Sequence, residues 1–254
     1  MKKIISIILC MVMLLCSLTS CGAKGKTLDE VKEAGKLVVA TSPDFPPFES
    51  LEGSKVVGIE VEIMEMVCAE LGVELELVQM DFDSVLLGVQ AAKYDCGMSG
   101  ITVTEKREKN MLFTDPYCLA AQCIVVKADS PITTKADLSG KKVSVQTGTT
   151  AEEFCTAAGY QVSAFAANAD AKGALTSGRV DAWVVDDLTA KAMVEGDSEL
   201  KILSEAMTTE PYAFAFAFGS ETLVEEINTI VNKLVEDGTV AALFEKYGAL
   251  YTKP

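Results

Sequence analysis

Two stretches of this chain carry residues whose types and spacing suit the capture of an anion. In "MSGITVTEKRE", Met98 to Glu108, small and hydroxyl-bearing residues lead into a charged run that contains Arg107. A strand that ends this way and passes into a helix leaves unpaired backbone N–H groups at the positive end of the helix dipole. Thr102 and Thr104 can both cap that helix, and Thr102-x-x-Glu105 matches a capping box. Arg107 adds a planar fork of donors suited to a carboxylate. The alternative is a surface pair with Glu105 or Glu108. The second stretch, "VSVQTGTTAEEF", runs through Gly148, Thr149 and Thr150 into a helix, with Thr150-x-x-Glu153 as its box. It lacks the glycine-and-lysine pattern of a phosphate loop, so it reads as a helix cap able to donate N–H groups to the same ligand.

The elements that must position these groups alternate in type. "KLVVA" from Lys36 and the alternating "VELELVQM" read as strands, and "SVLLGVQAAK" as a helix. "IEVEIMEMVCAELG" places Ile59, Ile63, Met66 and Val67 at helical spacing before Gly72 stops it. Strands alternating with helices predict an α/β fold with a largely parallel sheet. "KYDCGMSG" (Lys93 to Gly100) and "RVDAWVVD" (Arg179 to Asp186) form a faint internal repeat, with Asp95 opposite Asp181 and Gly100 opposite Asp186. A match this loose also arises by chance. If it is real, each phrase ends at the carboxyl edge of a sheet, where open α/β sheets bind ligands, and two facing lobes share one cleft. "CLAAQCIVVK" (Cys118 to Lys127) and "PYAFAFAFG" (Pro211 to Gly219) are extended enough to cross between lobes. Leu223, Ile227, Ile230, Val231 and Leu234 predict a last helix, halted at Asp237–Gly238, that packs on the first lobe.

Composition removes several function classes. The chain contains no histidine, which excludes Ser-His-Asp and Cys-His catalysis and any His-ligated zinc site. No metal or cofactor is expected. Its 254 residues carry a formal charge of −15, which repels phosphate backbones, so no nucleic-acid partner is expected. Lys2 and Lys3 precede an apolar run from Ile4 to Leu18, the pattern of a secretory leader too short for a confident membrane span. "LTSC", Leu18 to Cys21, resembles the lipobox of bacterial lipoproteins, which implies cleavage before Cys21 and lipid attachment to its sulfur. Ordinary signal cleavage and an uncleaved anchor are the alternatives. Residues 22–35 then form a tether, with "GAKGKT" as its flexible start. Of the cysteines beyond Cys21, Cys68, Cys96 and Cys123 lie in apolar segments and read as buried thiols. Five is an odd number for an exported protein and hints at a reducing habitat, while a Cys118–Cys123 bridge stays open.

"TSPDFPPFE" sets Phe45 and Phe48 around two prolines, a rigid turn able to turn an aromatic face to a cleft, and Phe82 in "MDFDS" is a second candidate wall. Together with "VVGIEVEI", "MDFDSVLLGVQ", "LFTDPY", "DLSGKKVSVQTGTTAEEF", "GRVDAWVVDD" and "PYAFAF", these phrases occur in the order found in the family 3 extracellular solute-binding proteins. Over residues 36–250 the chain resembles that family, the polar amino-acid receptors of ABC importers.

The resemblance implies a two-lobed, periplasmic-binding-protein-like (type II) α/β fold with two hinge strands. Residues 36–120 and 217–254 form lobe 1, and residues 121–216 form lobe 2. It implies a free amino acid gripped by Arg107 at the α-carboxylate and by Asp186 at the α-ammonium. Ser99, Gly100, Thr102, Thr149 and Thr150 fill the remaining hydrogen bonds, Phe45 and Phe82 flank the ligand, and Gln146 reaches toward its side chain. At Ser42 several relatives that bind basic amino acids carry Asp, so a neutral polar ligand is favoured, with basic ligands left open. The implied protein is a monomeric, exported, lipid-anchored receptor at the outer face of the bacterial cell membrane, serving an ABC permease. An enzyme on the same fold, dehydrating a prephenate-like acid with a cleft carboxylate, is the rival, and a sensor domain is a third reading that lacks an output segment after Pro254.

Overall fold

The computed structural model describes residues 24–254; the leader and the lipidation expected at Cys21 lie outside the described residues. The chain first forms α1 (Leu28–Ala34), β1 (Lys36–Thr41), β2 (Asp44–Phe45), β3 (Glu49–Glu52), β4 (Lys55–Val57), α2 (Ile59–Leu71), β5 (Glu74–Gln79), α3 (Phe82–Gln90), β6 (Cys96–Gly97), α4 (Glu105–Glu108) and β7 (Leu112–Phe113). A crossing strand, β8 (Cys118–Ala120), leads to β9 (Gln122–Lys127), β10 (Lys142–Gln146), α5 (Thr150–Ala157), β11 (Gln161–Phe165), α6 (Asn168–Thr176), β12 (Ala182–Asp186), α7 (Asp187–Val194) and β13 (Leu200–Ile202). A second crossing strand, β14 (Glu210–Tyr212), returns to β15 (Ala215–Phe216), α8 (Glu221–Glu236) and α9 (Thr239–Lys246).

Two five-stranded sheets share one plan. The first runs β5-β1-β6-β15-β7 and the second β11-β10-β12-β9-β13. In each, the fourth strand runs antiparallel to both its neighbours while the other four run the same way, and that fourth strand arrives just after a crossing. The internal repeat is therefore structural. Asp95 accepts from the Val38 N–H at 2.9 Å and Asp181 accepts from the Lys142 N–H at 2.8 Å, each fastening the start of its strand to the neighbouring parallel strand. The crossing strands β8 and β14 pair with each other, Glu210 opposite Ala120 and Tyr212 opposite Cys118, and form the hinge.

Local signals explain the elements that frame the lobes. Gly72 adopts the left-handed conformation (φ 74°) that ends α2 where the apolar periodicity stops. In α8, Leu223, Ile227, Ile230, Val231 and Leu234 are all buried on the first lobe, each worth about 1.5–3 kcal/mol of burial. The five thiols are free and buried, so Cys118 and Cys123 form no bridge, and burial pushes Cys68 and Cys155 up to about 12.

Two expected boundaries move. The stretch read as a tether over 22–35 is, from Gly25 onward, part of lobe 1. Gly25 N–H donates to the Phe218 carbonyl at 2.9 Å, Thr27 and Glu30 form a capping box, and the Val31 of α1 is fully buried. The return to lobe 1 also comes earlier than residue 217, because β15 (Ala215–Phe216) already pairs with β6 and β7.

Candidate functional site

Ten of the eleven residues expected at the ligand site line one cavity between the lobes. Phe45, Phe82, Ser99, Gly100, Thr102 and Arg107 come from lobe 1, and Gln146, Thr149, Thr150 and Asp186 from lobe 2. The cavity measures about 20 Å³, little more than a single water requires, so the lobes are nearly shut. Ser42 is the exception. It is buried behind the cavity, where its hydroxyl donates to Asp44 at 3.0 Å and its N–H donates to the Ser99 hydroxyl at 3.2 Å. The substrate inference drawn from its lack of charge therefore rests on a residue that braces the wall.

The helix starts differ in detail from the sequence reading. Thr104, and not Thr102, caps α4, its hydroxyl accepting from the Arg107 N–H at 3.2 Å. Thr102 instead makes a β-bridge to Tyr212, and its carbonyl accepts from Arg107 Nη1 at 2.9 Å. At α5 the cap is Thr149, which accepts from the Glu152 N–H, and Thr150 is the first helical residue. Backbone approach is close at both glycines. Gly148 (φ 80°) lies so near α3 that a Cβ there would come within 3.1 Å of Asp83. At Gly100 (φ 54°) a Cβ would come within 2.5 Å of the Phe45 ring.

Arg107 is 9% exposed, lines the cavity and makes no ion pair among the described residues, Glu105 and Glu108 included. Its Nη2 donates to the Gly148 carbonyl at 3.1 Å, and the guanidinium lies over the Phe82 ring at 5.6 Å. Burial lowers its pKa, against the pull of Glu153, Glu210 and Asp186. Asp186 ends β12 and precedes α7, yet its side chain makes no capping bond, so the carboxylate is left for the cavity. Gln122 Nε2 donates to it, and the Tyr212 hydroxyl faces it without meeting hydrogen-bond geometry. Burial first, then Glu210, holds the Asp186 carboxyl well above the usual carboxylate range. Each group is thus buried without an opposite charge in contact among the described residues, an arrangement that a dipolar ligand would relieve at both ends.

Three participants escaped the sequence reading. Glu210, on the hinge, is 3% exposed and accepts from Thr102 at 2.8 Å, from Thr150 at 2.9 Å and from Thr208. Gln122 donates to both Asp186 and Thr150. Asp44 on lobe 1 accepts from the Asn168 N–H on lobe 2 at 2.7 Å and from Gln146 Nε2 at 3.3 Å. Only Asp44 had a visible signal, an acidic residue inside the rigid "PDFPPF" turn.

The profile of the bacterial extracellular solute-binding proteins, family 3, matches residues 37–249. The chain belongs to this family. Among family relatives, the arginine-binding extracellular protein ArtP of Bacillus subtilis (strain 168) is 31% identical, over 91% of this chain and 92% of its own length. The L-cystine-binding protein TcyJ of Escherichia coli (strain K12) is 33% identical, over 89% of this chain and 88% of its own length. The crystal structure of the P235GK mutant of ArgBP from T. maritima superposes with a TM-score of 0.83 at 39% identity, covering 87% of this chain and 98% of that one. The two-lobed periplasmic-binding-protein fold of the family is the fold of this chain.

Proposed function

We propose that this protein captures a free polar amino acid between its lobes and delivers it to an ABC permease. The observation that carries this reading is the convergence of Arg107 from lobe 1 and Asp186 from lobe 2 on one closed cavity, neither neutralised by a protein partner in contact. The guanidinium takes the α-carboxylate and Asp186 the α-ammonium. Phe45 and Phe82 wall the ligand, and the Gly100 and Gly148 backbones approach without side-chain interference.

Hydroxyl chemistry refines the roles. Thr102 and Thr150 spend their protons on Glu210, so toward the ligand their oxygens can only accept, which matches an ammonium better than a carboxylate. Closure follows because the contacts are complete only when both lobes meet, so the ligand shifts the open–closed equilibrium by its differential affinity. A dehydratase reading is disfavoured by the full zwitterion clamp, which holds a substrate at both ends. Lipid attachment at Cys21 would hold the receptor at the outer face of the membrane, where a monomer suffices.

A neutral polar side chain suits the amide of Gln146. A basic ligand is the second reading, favoured by Asp44: a half-buried carboxylate beside Gln146 whose hydrogen bonds all come from neutral donors. Calorimetric titration with the common amino acids, ornithine, citrulline and cystine tests the proposal, and failure of every one to bind sinks it.

A further inference from the structure

Beneath the cavity, two glutamates meet in a fully buried pair. Glu49 on β3 and Glu60 on α2 are both 0% exposed, and neither makes an ion pair among the described residues. Glu60 accepts at both oxygens, from the Gly100 N–H at 2.9 Å and from the Tyr117 hydroxyl at 2.8 Å. Glu49 Oε1 accepts from the Ser99 hydroxyl at 2.8 Å, whereas its Oε2 is buried with no partner. An orphaned carboxylate oxygen beside a second carboxylate is untenable as two bare anions, since both are buried from solvent and no cation among the described residues meets either charge. It is satisfied at once if Oε2 carries a proton and donates it to Glu60.

We propose that Glu49 and Glu60 share one proton, carried on Glu49 Oε2, and that this pair positions the Ser99–Gly100 wall of the cavity and ties it to the hinge. This rests on reading the cavity as the amino-acid site. The tie to the hinge is Tyr117, which precedes β8 and stacks on Phe214 at 5.3 Å. Gly100, held by Glu60, is the residue that leaves no room between the backbone and Phe45.

The charged and titratable groups that face the pair reinforce the assignment. They are Asp44 from β2, Cys96 from β6, and Tyr117 and Cys118 from the start of the hinge; none is a cation. Burial, and next the Glu60 charge, holds Glu49 well above the usual carboxyl range, and burial raises Glu60 as well. The folded state therefore keeps a proton that the unfolded chain gives up. Stability from this proton is fully present below about pH 4.3, the unfolded value, and is lost as pH rises toward the folded one.

Infrared spectroscopy of the purified protein at neutral pH, followed by denaturation across pH, tests this. Wild type is expected to show protonated-carboxyl C=O band intensity, of which Glu49→Gln removes one carboxyl's part and leaves that of Asp186. Above about pH 4.3 its unfolding constant should rise, and Glu49→Gln should remove one proton's share of that slope, up to tenfold per pH unit, leaving the shares of Glu60, Asp186 and Asp44. Titrated with L-arginine and L-glutamine, Glu60→Gln should lose at least about ten times more affinity than Glu49→Gln, because a glutamine at 49 still donates whereas one at 60 presents N–H where an acceptor is required. A missing band in wild type, an unchanged slope in Glu49→Gln, or equal affinity losses would overturn the proposal. If wild type binds no amino acid, the reading of the cavity fails, while the band and the slope still decide the shared proton.

Discussion

The Arg107 guanidinium of lobe 1 donates to the Gly148 carbonyl of lobe 2 at 3.1 Å, so the residue proposed to hold the ligand's carboxylate also braces the closed cleft. The same side chain holds the Thr102 carbonyl at 2.9 Å within its own lobe. On the proposed reading, binding and closure are coupled through one side chain.

Replacing Arg107 with alanine removes a buried, charge-assisted pair. Amino-acid affinity is expected to fall at least about a hundredfold, roughly 3 kcal/mol. Calorimetry that finds unchanged affinity removes Arg107 from the site. Arg107→Lys should recover little, because an ammonium cannot hold Thr102, Gly148 and a carboxylate in the same fork.

Asp186→Asn should weaken ligands with a free α-amine and spare their N-acetylated counterparts; equal losses contradict the assigned role. A pH dependence follows with a definite sign. The ligand-free carboxyl sits well above its usual range, and the ammonium requires the anion. Binding should release protons near that titration, and affinity should drop up to tenfold per unit as pH falls below it. Titrations in buffers of different ionisation enthalpy report the proton count.

Glu210→Gln leaves a carboxamide where Thr102, Thr150 and Thr208 donate. One acceptor becomes a donor, at a cost of about 1–3 kcal/mol. The closed population should shrink, seen as an increased radius of gyration in solution scattering with ligand present. Unchanged scattering and unchanged affinity would show that the three hydroxyls find other partners.

Asp44 discriminates between the two ligand readings. With a neutral ligand, Asp44→Asn weakens only the contacts to Ser42, Asn168 and Gln146, and all amino acids should lose affinity alike, by about tenfold or less. A loss confined to arginine, ornithine and lysine establishes the basic reading.

What could be read from the sequence divides along physical lines. The α8 stripe and the Gly72 stop were legible because periodicity and left-handed glycine are local properties. Arg107 and Asp186 were legible because their charges sit at element junctions in an ordered set of phrases. Of the two threonines able to cap α4, the capping-box spacing to Glu105 pointed to Thr102, and Thr149 and Thr150 each have a glutamate three residues on, so only the chain path decides between them. Ser42, expected at the ligand site, is absent from the cavity lining because its N–H and hydroxyl are taken by Ser99 and Asp44, contacts that exist only in the folded chain. Glu210 was invisible because a glutamate in "MTTEPY" has the composition of a surface loop, and its burial exists only where two lobes meet a hinge. The start of α1 was overlooked although Thr27-x-x-Glu30 stood in the sequence as a capping box.

The fourth strand of the first sheet has a consequence for biosynthesis. Ala215 pairs with Gly97 on one side and Phe113 on the other, so β6 and β7 have nothing between them until nearly the whole polypeptide has emerged. A nascent chain arrested earlier presents a bare strand edge to whatever chaperone or translocation machinery is nearby. The first sheet is complete only once segments distant in the message have met, a non-local pairing of the kind that slows folding.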